Sequence, residues 1–112
     1  MKIEVRKAER TDLSAVAALG FEKEPVIDRS LSDRFDEVLF QTGHSVLLCF
    51  VDEKLCGMMS VTVIDGISKK FPVALFSGGK IRESADKAVV SSALISKGEE
   101  ISKFFGCKKI YF

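Results

Sequence analysis

The sequence has few of the residues that build metal sites or disulfide frameworks. Three of its 112 residues are cysteines and one is histidine. The cysteines, Cys49, Cys56 and Cys107, show no CxxC spacing. A structural zinc site normally takes four Cys or His ligands, and disulfide frameworks are normally built from an even number of cysteines. We therefore expect reduced cysteines and no metal.

Long apolar runs are missing as well. The longest, Val46–Val51, has the length of a strand, whereas a helix that spans a bilayer needs about 20 apolar residues. The residues after Met1 alternate between charged and apolar types and do not form the apolar segment of a signal peptide. We expect no membrane partner and a cytoplasmic location.

The sequence also lacks an excess of charge of either sign. It has 17 basic and 16 acidic side chains, for a net charge of +1. Its basic runs, Ser68–Lys70 and Cys107–Lys109, are short, and nucleic-acid binders usually concentrate positive charge on one face. We expect no nucleic-acid partner. With 46% hydrophobic and 29% charged residues, the composition is typical of a folded chain, which we interpret as one domain over residues 1–112.

The first half of the chain predicts a strand and two helices. Apolar residues alternate over Lys2–Arg6, as in a strand. Thr11–Asp12 is a helix cap in front of a helical stripe, and Ser30 begins a second helix with a capping-box pattern. Gly43 is placed to end this second helix.

The middle of the chain predicts a hairpin and a further strand. Residues 45–51 and Leu55–Ile64 are strands around a turn at Asp52–Lys54. Another strand begins at Phe71–Phe76, and the glycine pair 78–79 that follows indicates a bulge or a close backbone approach before Lys80.

The last third predicts one long helix and a final strand. Asp86 or Ser84 caps the helix, which continues to about Phe105 and stops at Gly106. Within it, Gly98 indicates close packing against a sheet, and the final strand is residues 108–112. The order is β-α-α-β-β-β-α-β, which predicts an α/β domain (α+β in some schemes) with a mixed sheet.

Several segments in this order resemble the GNAT acetyltransferases. The opening strand, residues 3–8, and the helix start, residues 11–13, are similar to those of the family. So is the hairpin Asp52–Gly57, where a glycine follows the turn. Ser92–Ile95 and Phe105–Tyr111 resemble the main helix and the entry to the fifth strand. The resemblance implies a GNAT-like fold and an acetyl-CoA ligand for transfer to an amine.

The resemblance also implies where the coenzyme would bind. In the family, a segment of the form Arg/Gln-x-x-Gly-x-Gly/Ala receives the pyrophosphate at the start of the main helix, where small residues and the helix dipole favour a phosphate. Here Asp86, Val89 and Ser91 occupy the positions of the cationic or amide residue and the two glycines, so the motif is degenerate and binding is weak or lost. The implied cofactor-binding residues are Gly79, Lys80, Ile81, Asp86, Lys87, Ala88, Val89, Val90, Ser91 and Ser92.

No catalytic residue is assigned from the sequence. Ser77 occupies the position where the family often has a basic glutamate, and a serine has no useful basicity. Tyr111, the only tyrosine, lies in the fifth strand rather than at the position of the family's catalytic acid. His44 has no neighbouring carboxylate in sequence to orient it, so we interpret it as an exposed turn residue.

Two functions therefore stay open, and the sequence leaves undecided whether the chain is an enzyme. One is a GNAT-type acetyltransferase of weak or no activity. The other is a non-catalytic GNAT-like interaction module or a truncated remnant. The sequence lacks the further helix and two strands that the family has after its fifth strand. We therefore expect the edge of the C-terminal strand to be exposed and to support a homodimer.

Overall fold

Strands from both halves of the chain pair into one mixed sheet. A computed structural model of the protein describes residues 1–20, 29–40, 43–64 and 72–112. Within these ranges the strands are β1 (Ile3–Lys7), β2 (His44–Val51), β3 (Lys54–Ile64), β4 (Val73–Ile81) and β5 (Lys109–Tyr111). They lie in the order β1-β2-β3-β4-β5. Neighbouring strands are antiparallel except β4 and β5, which are parallel.

Helices cover both faces of this sheet. The described helices are α1 (Leu13–Gly20), α2 (Arg29–Phe40) and α3 (Lys87–Phe104), and a 3-10 turn, Arg10–Asp12, precedes α1. Successive residues of β2 point to opposite faces: Leu47 belongs to the core under α3, whereas Leu48 packs in the cluster under α1. The element order and the mixed sheet confirm the fold class predicted from the sequence.

Two of the predicted helix starts are wrong in detail. α2 begins at Arg29, so Ser30 lies inside the helix and is not its cap. Asp12 belongs to the 3-10 turn, where its carboxylate accepts from the backbone amide of Glu9 at 2.7 Å and from the Arg6 guanidinium at 2.8 Å. This tertiary ion pair lowers the pKa of Asp12 mainly through the hydrogen bond from Arg6. The Asp12 side chain therefore holds β1 against the turn.

The β2–β3 turn is tighter than the sequence predicts. Asp52 and Glu53 both have positive φ, +49° and +70°, and Val51 pairs directly with Lys54. This two-residue geometry matches the right-handed twist of the flanking strands. The Asp52 carboxylate also accepts from the backbone amide of Lys2 at 2.8 Å, which compensates part of the strain of a left-handed aspartate.

Two glycines allow α3 to lie close to the sheet. A Cβ at Gly57 would be 2.5 Å from Cγ1 of Val90, and a Cβ at Gly98 would be 2.8 Å from Cζ of Phe76. The expectation that Gly98 packs closely against the sheet is thus confirmed. α3 then ends as predicted, because Gly106 has a φ of +76° and its amide donates to the carbonyl of Lys103.

Candidate functional site

A bulge interrupts the pairing of the second half of β4 with β3. Ser60 pairs with Ser77 and Met58 pairs with Lys80, so Met59 faces the two residues Gly78 and Gly79. This is a β-bulge, as the glycine pair indicates, and Gly78 has the positive φ (+65°) that favours glycine. On its other side β4 pairs with β5 only through residues 73–75. The strand beyond Leu75 therefore has an edge that no described strand covers.

A groove of about 400 Å³ lies between this half of β4 and α3. The β4 side supplies Ser77, Gly79 and Ile81, and the α3 side supplies Lys87 and Ser91 at the start of the helix. Apolar residues line the rest of the groove: Met58, Met59, Phe76, Leu94, Ile95 and Phe112. The groove is polar near the N-terminus of α3 and apolar farther along the helix.

Phe112 forms one wall of the apolar end. Its ring meets the ring of Phe76 edge to face, with centroids 5.3 Å apart and an angle of 79°. Phe76 is 4% exposed and Phe112 is 80% exposed. One ring is therefore fixed in the core, and the other lies at the surface where it can adjust to a ligand.

The N-terminus of α3 carries its own anion. Oδ1 of Asp86 accepts from the backbone amides of Ala88 at 3.1 Å and Val89 at 3.3 Å. Asp86 is thus the N-cap, one of the two caps that the sequence predicts, and Ser84 is not. These amides lie within the segment that the resemblance assigns to a pyrophosphate. Both amides already donate hydrogen bonds to the carboxylate of Asp86.

A group of cations that includes Lys87 lies beside the groove. Lys80, Arg82 and Lys87 line a cavity of about 380 Å³ between the end of α1 and the β4–α3 connection, together with Glu83. The Nε of Arg82 donates to the carbonyl of Leu55 at 3.0 Å, which holds the guanidinium against the backbone of β3. Three cations near one anion make this cavity a place where a phosphate group is favoured.

The ten residues implied by the resemblance fall into different environments. Gly79, Ile81, Lys87 and Ser91 line the groove. Lys80 lies on its α1 side, Asp86, Ala88 and Val89 form the cap, Val90 is buried in the core at 1% exposure, and Ser92 is exposed.

Sequence reasoning missed Arg82, Met58 and Phe112. The alternation of Lys80 and Arg82 at the end of a strand was a usable signal for the cation cluster. The contribution of Phe112 depends on the parallel pairing of β5 with β4, which no local pattern in the sequence reports.

The polar side chains at the bulge offer little acid–base chemistry. Ser77 lines the groove opposite Ser60. His44 is the first residue of β2 rather than an exposed turn residue, and its Nδ1 lies 2.9 Å from Oγ1 of Thr62. Among the described residues that line the groove, Lys87 is the only titratable one.

The described residues show neither a membrane helix nor a metal cluster. No helix in the described ranges combines the length and the hydropathy needed to cross a bilayer. In the same ranges, no three His, Cys, Asp or Glu side chains lie close enough together to hold a metal ion.

Comparison with known proteins identifies the fold. No protein-family model matches the sequence, and no curated protein matches it. Solved structures do match. A transcriptional regulator from Bacillus halodurans superposes with a TM-score of 0.87 at 19% identity, over 98% of this chain and 80% of that one.

Two acetyltransferases superpose over similar lengths. One from Trypanosoma brucei has a TM-score of 0.82 at 20% identity, over 97% of this chain and 80% of that one. A GNAT family acetyltransferase from Staphylococcus aureus has a TM-score of 0.79 at 20% identity, over 99% of this chain and 85% of that one. The chain therefore has the fold of the GNAT acetyltransferases.

Proposed function

We propose that this chain is a GNAT-like domain that binds an acyl-CoA thioester weakly in the groove between β4 and α3. The groove itself carries the proposal, because it is polar and cationic near Lys87 and apolar near Phe76. A coenzyme A thioester has the matching polarity, with phosphates at one end and an acyl group at the other. The GNAT fold supports the same class of ligand.

The thioester arm of such a ligand fits the groove better than the phosphates fit the start of α3. The half of β4 beyond Leu75 offers backbone groups that no described strand covers, and an extended arm that carries amides can bond to them. At the start of α3, Asp86 already bonds the amides of Ala88 and Val89. A phosphate there meets like charge and has to displace the cap. We infer that the side chains of Lys80, Arg82 and Lys87 attract the phosphates instead.

Acyl transfer in this groove is expected to be slow. A bound acyl-CoA supplies an activated carbonyl, and this chain supplies orientation along β4. The groove offers Ser77 where a base would be useful, and a neutral hydroxyl takes a proton poorly at pH 7. We therefore propose weak or absent acetyl transfer to amines.

Calorimetric titration with acetyl-CoA tests the binding. We expect a dissociation constant weaker than about 100 µM, which corresponds to about −5.5 kcal/mol. A dissociation constant of about 1 µM or tighter contradicts the proposed weakening by Asp86.

A non-catalytic ligand-binding or interaction module is the second candidate. Lys87 is the only titratable side chain in the described lining of the groove, and this observation favours the candidate. Release of the free thiol from acetyl-CoA, measured with a panel of primary amines, separates the two. Amine-dependent release above the buffer rate supports the transferase, and binding without release supports the module.

A further inference from the structure

The apolar end of the groove is larger than an acetyl group requires. An acetyl group brings one methyl to the site, whereas seven apolar residues line the groove. On α3 the lining continues from Ser91 to Ile95, a rise of about 6 Å along the helix axis. The thioester arm follows β4, so a two-carbon acyl group leaves the α3 side of this apolar surface largely uncovered.

Part of the apolar wall is fixed by close packing. Gly98 lets the ring of Phe76 and the methyl of Met59 approach the helix, since a Cβ there would lie 2.8 Å and 3.0 Å from them. Phe76 and Met59 are 4% and 7% exposed. These two side chains are packed against α3 and therefore form a fixed wall of the groove.

The remainder of the wall is adaptable. Phe112 lies at the surface against the edge of Phe76. An apolar chain can therefore lie between a fixed wall and an adjustable one, with Lys87 at the polar end toward its charged head group.

We propose that the groove prefers a thioester with a linear acyl chain of about four to eight carbons over an acetyl thioester, because each added methylene buries apolar surface. The proposal rests on the proposed function for the delivery of the acyl group by coenzyme A. Binding of the acyl chain itself can be tested without coenzyme A, using S-acyl-N-acetylcysteamine thioesters.

The test uses the methyl groups of the three methionines, Met1, Met58 and Met59, labelled with carbon-13 and observed by NMR. Thioesters with two, four, six and eight acyl carbons are titrated into the full chain. We expect the resonance of Met59 to shift and the affinity to rise about twofold to fourfold per added methylene. Met1 lies outside the groove lining and serves as the internal control.

A pair of variants locates the binding. Ser91 lines the groove, whereas Ser96 is exposed on the same helix and outside the lining. Ser91→Leu should fill the groove, so that the affinity no longer depends on the length of the acyl chain. Ser96→Leu should retain this dependence. Thermal unfolding of both variants checks that they remain folded.

The results separate this proposal from the proposed function. Length-dependent binding of the thioesters together with no binding of acyl-CoA refutes the proposed function and supports the apolar site. Binding of acetyl-CoA with affinities that do not depend on chain length refutes the apolar site. The apolar site is also refuted if the Met1 resonance shifts as much as that of Met59. The same holds if both serine variants lose the dependence on chain length equally.

Discussion

The carboxylate of Asp86 accepts a hydrogen bond from the backbone amide of Val89 across 3.3 Å. This contact stabilises α3 and at the same time places an anion where the resemblance implies that a phosphate binds. One side chain therefore connects the stability of the helix with the affinity for the ligand. Removal of the Asp86 side chain should lower the stability of the helix and raise the affinity for the ligand.

Asp86→Ala should lower stability and raise the affinity for acetyl-CoA. Loss of an N-cap costs about 1 kcal/mol, and removal of an anion from a helix N-terminus should improve phosphate binding by about twofold to fivefold. Chemical denaturation and calorimetry measure the two effects. Glu99→Ala, at an exposed position of the same helix, changes the net charge equally and should leave both quantities nearly unchanged. An unchanged affinity in folded Asp86→Ala refutes this role of Asp86.

Restoring the family pattern should increase the affinity further. The triple variant Asp86→Arg, Val89→Gly, Ser91→Gly replaces the anion with a cation and removes two side chains from the start of α3. We expect tighter binding than in Asp86→Ala by calorimetry. If the folded triple variant binds acetyl-CoA no more tightly than the wild type, the assignment of residues 86–91 to the phosphate segment is wrong.

Gly57→Ala should destabilise the core. The added Cβ would lie 2.5 Å from Cγ1 of Val90, and overpacking of this kind costs about 1–3 kcal/mol. Gly79→Ala is the matched control, since a Cβ at Gly79 meets nothing within 4 Å. Urea denaturation should show a lower midpoint for Gly57→Ala only. Equal midpoints for the two variants would mean that α3 is not held as close to β3 as the structure shows.

Asp12→Asn should destabilise the chain by about 1–3 kcal/mol at pH 7, because it removes a charged partner of the Arg6 guanidinium. The pKa of Asp12 is lowered by Arg6, so its contribution is complete above the ordinary aspartate pKa. It is lost as the pH falls through the lowered value. The difference in unfolding free energy between the wild type and Asp12→Asn should therefore shrink below about pH 4. A difference that stays constant down to pH 2 contradicts the role of this ion pair.

Homodimer formation stays a prediction. β5 is an edge strand of the described sheet, and the neighbouring Phe112 is largely exposed. An exposed strand edge and an aromatic side chain beside it favour pairing with a second copy. Sedimentation at micromolar concentrations should show a dimer. A monomer that does not depend on concentration, with Ile110–Phe112 protected from hydrogen exchange, would show that the edge is satisfied within one chain.

The fold could be predicted from sequence where the signal is local. Asp86 precedes a helical stripe, Gly98 interrupts one, and the glycines 78–79 interrupt a strand. Each marks a cap, a close contact or a bulge that the structure contains. The role of Asp12 was missed because its partner, Arg6, competes with the helix for the carboxylate.

The candidate site was predictable only in part, because its two ends depend on different kinds of information. The start of α3 is contiguous in sequence, and the resemblance pointed to it directly. The apolar end combines Met59 of β3, Leu94 of α3 and Phe112, the residue after β5. Strand pairing and the packing of α3 on the sheet bring these residues together, so the sequence pattern carried no sign of their common site.

The most direct test of the central claim is to map acetyl-CoA onto the chain by backbone-amide NMR. If the groove between β4 and α3 binds the thioester, the largest shift changes should fall on Gly79, Ser91 and Ile95, with smaller ones near Lys80 and Arg82. Amides of β1 and β2 should change little. Changes centred elsewhere, or none at millimolar acetyl-CoA, would contradict the assignment of this groove as the ligand site.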